Sequence, residues 1–159
     1  MPVWPSEEWN AEYVKLINAS KDYQEAAHDW EGTVVYGIEA DPEKGLAENV
    51  YAYYDLWHGE CREGKQVTAE EAAQADFLIT APYTIWKQIS TKELDPVKAL
   101  MQGRLKMKGD LAKAMKYTKA TIVLNELATQ VPDTEYLDEL PKERLQELKD
   151  QGQPVAVPD

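Results

Sequence analysis

A single cysteine, Cys61, has no partner for an internal disulfide, so the fold must hold without covalent cross-links. That usage fits a reducing compartment. Two histidines, His28 and His58, leave little material for a histidine-rich metal centre or for histidine-based catalysis. No stretch approaches the ~18 apolar residues of a membrane span. Residues 1–10 are polar and acidic, without the basic start and apolar run of a secretory leader. The last residues read Val-Pro-Asp and carry no peroxisomal Ser-Lys-Leu address. A cytoplasmic location is therefore expected. Positive charge is scarce too: 17 Lys and Arg stand against 29 Asp and Glu, a net charge of −12. Such a balance argues against nucleic acid as a partner, because phosphate binding calls for a basic surface.

What is present suits one globular domain. Of 159 residues, 43% are apolar and 29% charged, enough to build a core and too apolar for a disordered chain. The bases are concentrated. Residues 87–119 hold nine of them, with only Glu93, Asp95 and Asp110 in opposition, so that stretch is +6 and the remainder −18. Either acids from neighbouring segments fold against it or it forms a positive patch.

The first element reads as a helix capped by Ser6, with Trp9, Tyr13, Leu16 and Ile17 on one face. Ser20 caps a second, carrying Tyr23, Ala26, Ala27 and Trp30 at helical spacing. These aromatics read as core contacts and not as a cofactor box, two readings that composition alone does not separate. Residues 33–40 are rich in β-branched side chains and read as a strand. Asp41-Pro42-Glu43-Lys44-Gly45 turns the chain, and residues 48–58 alternate as a second strand. Gly59 and Gly64 bracket a hairpin. Residues 70–74 are ambiguous between helix and sheet, and residues 76–81 form another strand. Asp95-Pro96 starts a helix that Gly103 ends. Residues 104–108 alternate as a half-buried strand with Arg104, Lys106 and Lys108 outward. Gly109-Asp110 then opens a longer helix with Leu111, Ala114, Met115, Thr118 and Ile122 on one stripe. Pro141 starts a short charged helix, and residues 152–159 read as a mobile tail. Successive strands followed by helices around one late strand describe an α+β layer.

Catalytic signatures are missing: there is no nucleophile elbow, phosphate loop, dinucleotide fingerprint or zinc-protease helix. His58-Gly59-Glu60-Cys61 gathers an imidazole, a carboxylate and a thiol, but a tight turn does not aim three such groups at one atom, and no second ligand cluster exists. No catalytic residue, metal ligand or cofactor is expected.

Residues 75–115 resemble the sterol carrier protein type 2 domain family. The resemblance rests on Ala75-Asp76-Phe77-Leu78-Ile79-Thr80, Trp86-Lys87-Gln88-Ile89 and Leu94-Asp95-Pro96-Val97-Lys98-Ala99. It continues through Gln102-Gly103-Arg104-Leu105-Lys106-Met107-Lys108-Gly109-Asp110 to Ala114-Met115-Lys116, without gaps. Two positions depart from the family pattern: Lys92-Glu93 replaces a Gly-Lys pair, and Tyr117 replaces a leucine. The resemblance implies a twisted five-stranded, mainly antiparallel sheet with helices packed on one face and an apolar tunnel between the layers. It further implies residues 30–130 as the lipid-binding part of one domain, after a helical extension (1–29) and before a charged segment (131–159). The tunnel would take a fatty acid, acyl-CoA, phospholipid or sterol-like lipid. Trp57, Trp86, Ile89, Leu100, Met101, Leu105, Met107, Leu111 and Met115 are expected to wall it, the methionines supplying adaptable surface. Lys87, Lys106 and Lys108 are the candidates for an anionic headgroup. Transient membrane contact and a homodimer fit the same reading. The alternative is a non-catalytic interaction module docking a partner enzyme through the aromatic N-terminal helix.

Overall fold

The computed structural model describes residues 1–159. Its elements run β1 (Val3–Trp4), α1 (Glu7–Ala19), α2 (Lys21–Ala26), β2 (Glu31–Glu39), β3 (Val50–Trp57), β4 (Glu60–Val67), α3 (Ala69–Ala73) and β5 (Phe77–Pro82). They continue with α4 (Tyr83–Ser90), α5 (Pro96–Met101), β6 (Lys106–Lys108), α6 (Leu111–Lys116), α7 (Thr118–Ala128), β7 (Glu135–Tyr136) and α8 (Lys142–Asp150). Five strands form one sheet in the order β4-β3-β2-β5-β6. β2 and β5 are parallel, and the other three pairings are antiparallel. β1 and β7 form a separate parallel pair that ties the start of the chain to its last third. The architecture is the α+β layer expected from the order of elements.

The helix starts follow from local chemistry. The Ser6 hydroxyl accepts the Trp9 amide at 3.1 Å and Ser20 accepts that of Tyr23 at 3.1 Å. Asp95 and Asp110 do the same for Val97 and Lys113. Each satisfies one amide that the first turn leaves unpaired. The ambiguous stretch at residues 70–74 resolves as α3, fixed by a reciprocal capping box between Thr68 and Glu71. Gly103, at φ +75°, ends α5 in the left-handed conformation that glycine adopts without cost.

Strand alternation decides which side chains meet the helices. Register places Val34 beside Tyr54 and Phe77, Tyr36 beside Ala52 and Ile79, and Ile38 beside Val50 and Ala81. Those rows share one face, and α1, α4 and α7 cover it. The Tyr13 and Tyr54 rings meet edge to face at 5.3 Å, and those of Tyr36 and Trp86 at 5.4 Å. Gly64 lets α1 lie close on β4, since a Cβ there would collide with Val14 Cγ2. On the opposite face α3 packs against β3, and Val35 and Ala72 are fully buried.

Two expectations fail. The stripe Leu111, Met115, Thr118 and Ile122 faces solvent, and the buried side of α7 is Ala120, Leu124 and Leu127. Tyr117 breaks the run into two helices, and the leucine-bearing side takes the core position. Residues 152–159 are docked, with Val155 buried in the same core cluster as Val3. Ala47 N–H donates to Pro154 O at 3.0 Å and Ala156 N–H to Gly45 O at 2.9 Å. Backbone pairing beside a buried valine holds a segment whose composition alone reads as loose.

Candidate functional site

Between sheet and helices lies a cavity of about 60 Å³, with ten hydrophobic residues among the fourteen that line it. Trp4 and Trp9 come from the N-terminal segment, Tyr36 and Ile38 from β2, Ala52 and Tyr54 from β3, Trp86 and Ile89 from α4. Asn125 and Ala128 of α7 complete the lining. Aromatic rings occupy most of the space between the layers, which leaves room for a few water-sized groups.

The polar groups of this wall are nearly all paired. Tyr13 Oη–H donates to Leu124 O at 2.9 Å, Tyr54 Oη–H to Asn10 Oδ1 at 2.7 Å, and Trp86 Nε1–H to Gly37 O at 2.9 Å. Trp9 Nε1–H reaches Thr134 Oγ1, and the Ser90 hydroxyl meets that of Tyr136 at 2.6 Å. Tyr36 differs: its hydroxyl has no hydrogen-bond partner in the protein, although its neighbours on the same wall do. Burial, and secondarily the nearby Cys61, pushes its pKa up to about 12, so it is a neutral donor at physiological pH. Burial likewise keeps Tyr13 and Tyr54 protonated. No Lys, Arg or His lines the cavity.

Of the residues expected to wall a ligand site, the structure brings Trp86 and Ile89 to the cavity. Leu105 is buried, and Leu100 and Met107 pack against the core from its edge without reaching the cavity. Four others face solvent: Met101 is 82% exposed, Met115 66%, Leu111 52% and Trp57 39%. Trp57 follows Leu56 in β3, so it lies on the sheet face opposite Tyr54, where the Arg62 guanidinium sits 4.5 Å from its ring. Leu111 and Met115 belong to the outward stripe of α6, and Met101 ends α5 ahead of the Gly103 turn.

The expected headgroup cations are also elsewhere. Lys106 pairs in register with Thr80 and Lys108 with Leu78, which puts both on the sheet face turned away from Tyr36. The Lys87 ammonium lies 2.8 Å from Asp138 and 2.6 Å from Glu139, so acids of the C-terminal segment already neutralise it. Residues missed by sequence reasoning are Trp4, Trp9, Tyr13 and Tyr36. The signal available was an aromatic helix face and the Val34-Tyr36-Ile38 alternation. His58 bonds Glu31 at 2.6 Å while Cys61 is buried against Asn18, so the turn does not gather its polar groups.

With this geometry, comparison with known proteins is decisive. The model of the SCP-2 sterol transfer family matches residues 13–121. The chain belongs to the SCP-2 sterol transfer family. A crystal structure of sterol carrier protein 2 is 37% identical over 79% of this chain and 97% of its own, with a TM-score of 0.74. A conserved hypothetical protein of Thermus thermophilus, solved in solution, is 37% identical over 79% of this chain and 87% of its own, with a TM-score of 0.72. Sterol carrier protein 2 of Yarrowia lipolytica shares the fold at 17% identity, with a TM-score of 0.53 over 76% of this chain and 88% of its own. No curated sequence matches the chain.

The SCP-2 match accounts for β2 to β6 and for most of the helices over them. It does not extend to the whole cavity. Trp4, Pro5, Trp9 and Asn10 precede the matched residues, and Asn125 and Ala128 follow them. The face of α1 that a partner enzyme would have used is occupied: Trp9, Tyr13 and Ile17 are buried beneath the sheet.

Proposed function

We propose that this SCP-2 family protein binds a hydrophobic, lipid-like molecule between its sheet and its helices and carries it without chemical change. The observation that supports the reading is the aromatic-walled cavity, whose single unpaired hydroxyl belongs to Tyr36. Likeness at 37% identity to a structure of sterol carrier protein 2 supports the same class of cargo.

The driving force is burial. At ~25 cal/mol per Å², a ligand that hides a few hundred Å² of hydrocarbon gains several kcal/mol. A cavity of about 60 Å³ is smaller than the ~300 Å³ at the low end of ligand pockets. Uptake therefore requires the wall to give way. Trp4, Trp9 and Trp86 reach the cavity from elements outside the five-stranded sheet, so displacing these rings would widen it. Tyr36 Oη–H would donate to an oxygen of the ligand. An ionised headgroup would stay at the mouth in water, because no cation lines the interior to offset its desolvation.

Titration with a fluorescent fatty acid, alongside native mass spectrometry of the purified protein, tests the reading. Saturable micromolar binding is expected, lost in Ala128→Trp, whose indole would fill the cavity that Ala128 lines. Tyr36→Phe should weaken ligands bearing an oxygen acceptor by roughly 5- to 10-fold and leave a plain hydrocarbon probe unchanged, in line with ~1 kcal/mol for one hydrogen bond. Its stability should hold, since no protein partner is orphaned. A protein that neither co-purifies with lipid nor binds the probe is not a carrier.

A further inference from the structure

Four tryptophans are buried, and three of them are pinned through the indole N–H. Trp9 donates to Thr134 Oγ1 at 3.1 Å, Trp30 to Gly32 O at 3.2 Å and Trp86 to Gly37 O at 2.9 Å. Trp4 is only 7% exposed, yet its indole N–H donates to no acceptor in the protein. A buried indole ordinarily finds such a partner. This ring is held by packing and not by a bond of its own.

The slot around Trp4 is fixed without it. The Trp4 ring lies 5.3 Å from that of Tyr83 and 6.1 Å from that of Tyr136. Tyr83 Oη–H donates to Asp138 at 2.9 Å, and the hydroxyls of Tyr136 and Ser90 meet at 2.6 Å. Both walls keep those bonds if the indole leaves. β1 itself has two residues, lies outside the five-stranded sheet and is flanked by Pro2 and Pro5, which have no amide to donate. No other aromatic at the cavity is so placed. Trp9, Tyr13, Tyr54 and Trp86 are tied by hydrogen bonds, and Tyr36 stands on β2, the middle strand of the sheet.

Size gives the ring its importance. A cavity of about 60 Å³ has the volume of about two waters, at ~30 Å³ each. A benzene-sized apolar void takes ~150 Å³, and an indole is larger. Withdrawing it brings the space above ~200 Å³, close to the ~300 Å³ at which ligand pockets begin. We propose that Trp4 is a built-in stand-in for the cargo: its indole fills the place that the hydrophobic ligand takes and turns out as the ligand enters. The proposal rests on the carrier reading and makes Trp4 the residue that selects cargo. A ligand binds only when its own burial outweighs the packing that the indole loses. Its apparent affinity falls by the fraction of molecules in which the slot stands vacant. Trp4 precedes residues 13–121, so the match to the family model does not reach it.

Fluorine NMR of the full chain labelled with 5-fluorotryptophan, followed as lauric acid is added, tests it. The Trp4 resonance, assigned by its loss in Trp4→Phe, is expected to move to a solvent-exposed position at saturation. That of Trp30, which does not line the cavity, should stay. Trp4→Ala should bind lauric acid at least tenfold more tightly than the native chain, although it loses a core side chain and unfolds at a lower temperature. Trp30→Phe is the control: it too lowers the unfolding midpoint, and its affinity should not change, so tightening follows the vacant slot and not a softened core. Trp4→Phe carries a smaller ring and should fall between the native chain and Trp4→Ala, which keeps the test open if Trp4→Ala does not fold. A Trp4 resonance unmoved by bound lauric acid, or Trp4 variants that bind no more tightly than the native chain, overturns the stand-in and leaves the carrier reading in place. Lauric acid bound by neither the native chain nor the Trp4 variants removes both readings. Binding by the Trp4 variants alone supports the stand-in.

Discussion

The Lys87 ammonium sits 2.8 Å from the Asp138 carboxylate and ties α4 to the turn that follows β7. Tyr83 Oη–H donates to the same carboxylate at 2.9 Å, and Glu139 lies 2.6 Å from the same ammonium. Burial pushes the Asp138 carboxyl up, but the hydrogen bonds from Lys87 and Tyr83 and the lysine charge outweigh it, so its pKa lies below the ordinary value. A carboxyl lowered by folding contributes stability above its unfolded pKa of ~4 and loses it as pH falls through the folded value. Asp138→Asn should therefore cost ~1–3 kcal/mol at neutral pH, with the deficit shrinking on acidification. Urea unfolding at pH ~7 and pH ~2.5 checks this; an equal deficit at both would show that the pair is not the source.

Cys61 faces the helices from β4, and burial pushes its thiol up to about 12. The thiol also reaches the Glu63 carbonyl at 3.4 Å. A protonated, covered thiol is a poor nucleophile. The native protein should resist a thiol reagent at pH ~8, near the ordinary cysteine value, and react at once in denaturant. Rapid labelling of the native chain would mean that β4 and α1 separate readily.

The docked C-terminal segment should matter for stability. Val155 bridges Leu46, and both are buried. Removing residues 152–159 strips one buried valine, worth ~1.5–3 kcal/mol, and removes the backbone bond from the Ala47 amide to Pro154. A lower midpoint in thermal unfolding is expected, with Val155→Ala giving part of the loss. A truncated chain as stable as the full one would make the docking incidental.

Much of this fold was legible from local chemistry. Ser6, Ser20, Asp95 and Asp110 mark helix starts because a side-chain oxygen must meet an amide there, whatever surrounds it. Alternation marked the strands, and the run from Ala75 to Lys116 carried the family. Sidedness was harder. Trp57 follows Leu56, so the period of two already placed it opposite Tyr54, and aromatic bulk was a poor guide to burial. For Leu111 and Met115 the helix period shows which residues share a face, but the core side depends on what covers the helix. Here the second apolar side of α7, with Leu124 and Leu127, took that place. The cavity wall depended on distant partners. Trp9 needs Thr134, and Tyr13 needs Leu124, contacts spanning more than 100 residues that no local pattern encodes.

The pairing of β1 with β7 brings the first turn of the chain against its closing third, and Trp4 reaches the cavity from that clasp. Members of a family that agree over the sheet can thus differ in the wall of this cavity through what is threaded on before it and after it. A graft of the shared middle into another protein would bring eight of the fourteen lining residues and leave behind the six that the two ends of the chain supply.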